Sequence, residues 1–247
     1  MLNARYQSRA TECVGGKPAY FCSGVLLRGS TGTRTFWEHS EQAVQLGAQS
    51  FNYLRADLDT RVLEQANGVI FSDGFTAIGQ GKPFEVLCAY PFAFAVQSTR
   101  PDSGCGWVAA ARSVQDLGSC RALGVTDTPS WLAHFTQEGQ QAAGQCSLSS
   151  QDPAQFMASL TAHQALDAQW AAQPTLLQIR NWSEQTPDKL PILGLFYDVN
   201  RPQSLLGAQK DQRDYFTATG NWLPVLRMDL TQAPQSVFGF RQDDQLY

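Results

Sequence analysis

Pro191–Val199, PILGLFYDV, is the stretch that decides the fold. It is a run of apolar and aromatic side chains with one charge, and it reads as a buried strand. Downstream, Leu205–Thr219 reads as a helix, stopped by Gly220 as the first residue past its end. Trp222–Leu230 and Val237–Arg241 then return to strand character. Upstream, Tyr20–Arg28 (YFCSGVLLR) reads as a buried strand ended by Gly29-Ser30-Thr31-Gly32. Ser50–Leu54, Val69–Phe71 and Phe84–Tyr90 follow as strands. Arg61–Ala66 reads as one or two helical turns before Asn67-Gly68, a turn signal. In the middle, Thr128-Pro129 and Asp152-Pro153 each place proline at a first helical position. The helices so begun run to Glu138 and to about Trp170; Phe156, Leu160, Leu166 and Trp170 fall near one face of the second. Strands, then helices, then strands predict one α+β domain over residues 1–247, with a mostly antiparallel sheet and several helices. No repeat and no linker-like tract divides the chain.

Six cysteines punctuate it: Cys13, Cys22, Cys88, Cys105, Cys120 and Cys146. None forms CxxC, so the expected use is three disulfides made outside the cytosol. Nearest neighbours each enclose a turn-rich loop, which predicts Cys13–Cys22, Cys88–Cys105 and Cys120–Cys146. The expected location is extracytoplasmic: secreted or at a bacterial cell surface. Met1–Arg5 carries no apolar signal core. The expectation is therefore a removed leader, or a piece of a larger exported protein, with Met1 a scar of expression. The longest apolar run, Val86–Val96, is interrupted by Pro91 and falls far short of the roughly 20 residues of a membrane helix. Charged residues are 16% of the chain, the net charge is −4, and no Lys/Arg cluster occurs, so nucleic acid is not an expected partner.

Chemistry concentrates in three places. Arg28 stands at the end of an apolar strand, where a guanidinium grips a phosphate or carboxylate, or closes a salt bridge. Ser50–Asp59 (SFNYLRADLD) sends Phe51 and Tyr53 to one face and Ser50, Asn52 and Leu54 to the other, with Arg55, Asp57 and Asp59 at the exit. Asp57-Leu58-Asp59 is either a weak calcium site or a pair of solvated turn carboxylates. Gln209–Asp214 (QKDQRD) puts Asp211 and Asp214 on one helical face. Two carboxylates beside Gln209 can stabilise a cationic transition state, as in glycosyl cleavage, or form an ordinary charged face. His39, His134 and His163 are scattered and no HExxH occurs, so no catalytic metal and no cofactor are expected.

The segments RYQSRATECVGGKPAYFCSGVLLRG, SFNYLRADL, EVLCAYPF…GCG, SWLAHF, GQC, LPILGLFY and QKDQRDYFTATGNWLPVLRMDL together resemble the halovibrin-like family of secreted bacterial proteins, from about Arg5 to Leu230. The resemblance implies action on NAD, as a glycohydrolase or an ADP-ribosyltransferase, in a toxin or host-interaction factor. Transferases of that kind use a first-strand Arg, a Ser-x-Ser-like strand and a late Glu. Arg28 suits the first role. Ser50-Phe51-Asn52 carries Asn where Ser is expected, and Gln209-Lys210-Asp211 is nearest to the third motif. NAD would then be substrate rather than cofactor. Asp211 or Asp214 would face the oxocarbenium-like ribose, Arg28 or Arg55 the pyrophosphate, and Tyr53 would stack on nicotinamide. Ser50, Asn52 and Gln209 would complete the pocket, in one cleft. The acceptor would be water or a side chain of a host or competitor protein. The alternative is a carbohydrate- or receptor-binding terminal domain of a bacterial adhesin, for which 6 Trp, 7 Tyr and 14 Phe also suit. A third reading is a toxin tip delivered to competing bacteria.

Overall fold

The structure, a computed structural model, describes residues 1–30, 48–58, 65–71, 85–90, 148–149, 153–164, 176–180 and 192–239. In chain order its helices are α1 (Leu2–Gln7), α2 (Pro153–Gln164) and α3 (Ser204–Thr219). Its strands are β1 (Glu12–Cys13), β2 (Lys17–Pro18), β3 (Val25–Gly29), β4 (Ala48–Leu54), β5 (Asn67–Phe71) and β6 (Glu85–Tyr90). They continue with β7 (Leu148–Ser149), β8 (Leu176–Arg180), β9 (Ile192–Asp198), β10 (Val225–Met228) and β11 (Phe238–Gly239).

The deciding stretch is β9, inside a nine-stranded sheet of order β11-β10-β9-β5-β3-β4-β8-β6-β7. Every pairing in that sheet is antiparallel except β9 with β10. That exception follows from connectivity. A crossover holding the 16-residue α3 is long enough to return the chain in the same direction, which a tight turn is not. The fold is therefore α+β with a mostly antiparallel sheet, and a small β1–β2 hairpin lies apart from it.

Alternation assigns the two faces. Leu26, Phe51, Tyr53, Val69, Phe71, Leu195 and Tyr197 form one core with Phe156 and Leu160 of α2 and Ala208 of α3. Leu27, Leu54, Ile70 and Phe196 form the other with Leu2 and Tyr6 of α1. Neighbouring residues of one strand thus serve opposite cores, and full burial of each large side chain contributes about 1.5–3 kcal/mol.

Three local expectations need correction. Ala19–Phe21 is a turn of 3-10 helix, so the strand begins at Val25 rather than at Tyr20. Arg5 explains this break: its guanidinium donates to the carbonyls of Tyr20, Phe21, Ser23 and Gly24, holding that backbone in a curl. Asn67-Gly68 is not a turn but the start of β5. A Cβ on Gly68 would collide with the carbonyl oxygen of Arg28, so that glycine serves a close approach of backbones. Trp222 and Leu223 precede the last parallel strand rather than opening it. The helical readings at Arg61–Glu64, at Thr128–Glu138 and beyond Gln164 lie outside the described residues.

Cys13 and Cys22 form a disulfide, as the loop argument expects. Cys88 lies on β6, while Cys105, Cys120 and Cys146 lie outside the described residues. Changing both Cys13 and Cys22 to Ser is expected to lower stability by about 2–3 kcal/mol, from loop entropy over a sequence separation of 9. Urea melts of the two proteins would measure it; equal midpoints would mean that the bridge constrains nothing.

Candidate functional site

Asp211 is the residue around which a site can be built. Its helix buries Ser204, Ala208, Asp211 and Gln212, spaced i, i+4, i+7 and i+8, as an inward stripe. A carboxylate on such a stripe must be compensated or it is costly to bury. Asp211 is 2% exposed, and Asn67 Nδ2 donates to its Oδ2 at 2.9 Å. Ser30 supplies a second side-chain hydrogen bond. Burial nevertheless dominates and pushes the carboxyl above its ordinary pKa, against the opposing pull of Ser30, Lys210 and Asn67. Gly207 makes the contact with Asn67 possible. A Cβ there would lie 2.6 Å from Asn67 Oδ1.

The sheet register places Arg28 at the same end. Arg28 pairs with Val69 and Gly29 with Gly68, next to Asn67. Two residues along and one strand across puts the Arg28 and Asn67 Cα atoms roughly 8 Å apart. Leu26 belongs to the α2–α3 core and Leu27 to the α1 core. Arg28 therefore faces the α3 side, as Asp211 does from above. Ser50 sits on β4 toward this end of the sheet, but its register position belongs to the Asn52 face rather than to the Arg28 face. Gln209 is buried on α3.

The remaining sequence candidates are placed elsewhere or already engaged. Asn52 pairs with Leu27 and lies on the α1 face of the sheet. Asp214, three residues from Asp211, is 49% exposed and bonded to Lys210 Nζ at 2.7 Å. The predicted shared helical face thus divides into an inward carboxylate and a solvated one. Arg55 is 1% exposed and follows Leu54, which pairs with Val25, the opposite end of β3 from Arg28. Its Nε and Nη2 clasp Asp57 at 2.6 and 2.7 Å, and its Nη1 donates to the Ala10 carbonyl at 2.8 Å. Tyr53 is 1% exposed, makes an edge contact with Phe156, and donates its hydroxyl to the Ser23 carbonyl. A buried ring presents no face for nicotinamide, and a guanidinium buried against Asp57 and Ala10 is closed to pyrophosphate. Tyr53, Arg55 and Asp57 therefore form a structural hub joining the N-terminal segment, β4 and α2. The one-cleft expectation is corrected accordingly for Tyr53, Arg55 and Asp57: this exit lies roughly 13 Å along β3 from Arg28. Asp57 is held by Arg55, and Asp59 lies outside the described residues.

Ser30, Asn67 and Gly207 escaped the sequence reading. Ser30 and Asn67 looked like turn residues, and only the register of β3 on β5 beneath α3 brings them to Asp211. A second polar network was also missed. Asn200 donates to both Asp198 and Asp229, and Thr231 donates to Asp229, tying together the ends of the parallel pair. The Thr231 and Asn200 bonds hold Asp229 below the ordinary carboxylate pKa.

Among the described residues, no group of three or more His, Cys, Asp or Glu could hold a metal ion. No helix among them is long and apolar enough to cross a membrane. No protein-family model matches the chain, and no curated protein matches it.

Proposed function

We propose that this is an exported bacterial enzyme that cleaves the nicotinamide–ribose bond of NAD at the Arg28–Asp211 end of the sheet. The observation that carries the reading is Asp211, an inward carboxyl fixed by Asn67 and Ser30 on the face that Arg28 also meets. In the reaction the C1′–N1 bond breaks and its electron pair leaves with neutral nicotinamide. The ribose becomes an oxocarbenium-like cation, which water attacks, giving ADP-ribose, nicotinamide and a proton. A fixed carboxylate shielded from water stabilises that cation far more than a solvated one does. Arg28 supplies the positive charge for the pyrophosphate. Transfer to a protein side chain would use the same first step. Because Asp211 is covered in the free protein, productive binding must move α3 away from the sheet at its middle.

The test is direct. Native protein is incubated with NAD, and nicotinamide is measured by chromatography. Release that is catalytic and scales with protein concentration supports the reading; intact NAD after prolonged incubation over pH 5–9 removes it.

A second reading, a glycan- or receptor-binding terminal domain of a surface adhesin, is favoured by one observation. Phe216 and Trp222 stack on each other in the open at the end of α3.

A further inference from the structure

We propose that the Phe216–Trp222 pair is a binding shelf for a saccharide ring. The inference names a site and ligand class for the second reading and is independent of NAD cleavage.

The rings lie 4.3 Å apart at an interplanar angle of 14°, and the side chains are 38% and 47% exposed. The pair is held rather than loose. Gly220, at φ 73°, ends α3 with its N–H on the Phe216 carbonyl. The Asn221 N–H bonds Thr219 Oγ1, and its amide bonds the Thr219 carbonyl. On the other side of Trp222, the buried Gln212 amide donates to the Leu223 carbonyl at 2.6 Å. Both neighbours of the indole are therefore anchored, and little ordering is left to oppose binding.

Size selects the occupant. Fully exposed, each ring would offer about 150–250 Å², so the pair offers roughly 200 Å². A specific protein partner needs about 800 Å² per side. A single sugar ring fits the smaller area: its C–H face covers the indole, while its hydroxyls meet the exposed Asn221 next to Trp222.

The experiment is saturation-transfer NMR on the full chain. The probes are methyl β-D-galactopyranoside, methyl α-D-mannopyranoside, N-acetylglucosamine and, separately, AMP. At least one saccharide should be saturated through its ring C–H protons. Trp222→Ala should weaken that binding about tenfold or more, while Trp222→Tyr, which keeps an aromatic face, restores most of it. Circular dichroism melts establish that each variant is folded. Saccharide binding unchanged by Trp222→Ala would overturn the shelf but leave the second reading standing. Binding of no saccharide would remove both, as would saturation of AMP alone.

Discussion

Asp211→Asn is expected to cut nicotinamide release about 100- to 1,000-fold, the range lost when one preorganised electrostatic partner is removed from a transition state. The substitution keeps the shape of the side chain and leaves an amide oxygen for Asn67 and Ser30, so the fold should survive. Asp214→Asn should leave turnover within about twofold, because an exposed pair such as Lys210–Asp214 contributes little. The pH dependence carries a further signature. Burial raises the Asp211 pKa, so the ionised form that stabilises the ribose cation appears only above the ordinary carboxylate range. The acidic limb of the rate profile should be displaced upward accordingly. For stability, the native state retains this proton where the unfolded chain has released it. The contribution of Asp211 is therefore complete below its unfolded pKa and is lost as pH rises through the folded one. Stability of the Asn variant should fall less over that interval. Rate profiles and urea melts of both variants measure these effects; equal losses at 211 and 214 would contradict the geometry.

Asp57→Ala is expected to destabilise the protein by about 3 kcal/mol, because it leaves the buried guanidinium of Arg55 without its counter-charge. Asp57 is itself 29% exposed, which places the effect toward the low end for buried pairs. Replacing Arg55 by Met as well should recover part of the loss, since an apolar pair avoids burying the charge. Burial opposes ionisation of Asp57, yet the hydrogen bond and charge of Arg55 hold its pKa below the ordinary value. The stability it contributes is present above the unfolded pKa and lost as pH falls through the folded one. The native protein should therefore lose stability more steeply in acid than Asp57→Ala does. Denaturant midpoints at pH 3–7 would show this, and parallel curves would contradict it.

The sheet was legible because its strands bury one side chain after another. PILGLFYDV and GVLLR carry apolar residues at consecutive positions, as strands packed on both faces must. The end of α3 was legible because only glycine takes the positive φ of residue 220 without strain. The extra curl at Ala19–Phe21 was not, because it depends on four carbonyls captured by an arginine some 15 residues earlier. At the site, Arg28 stood out as a charge at the end of an apolar strand, and Asp211 as part of the polar run QKDQRD in a charge-poor chain. Asn67 and Ser30 carried no such contrast, and their meaning is purely tertiary. Spacing alone also could not separate Asp211 from Asp214. Three residues apart on a helix means neighbours, but the width of the buried stripe decides which one meets the sheet. Arg55 and Tyr53 were misread for a related reason. A dense polar-aromatic segment describes a buried hub as well as it describes a pocket.

The central claim is that NAD binds where Arg28 and Asp211 meet. Amide NMR shifts of the ¹⁵N-labelled chain, titrated with the uncleavable analogue carba-NAD, test it most directly. The account predicts saturable shifts at Arg28–Ser30, Asn67–Gly68 and Gly207–Asp211, sparing Arg55 and Asp57. Shifts confined to other segments, or none at millimolar analogue, would contradict it.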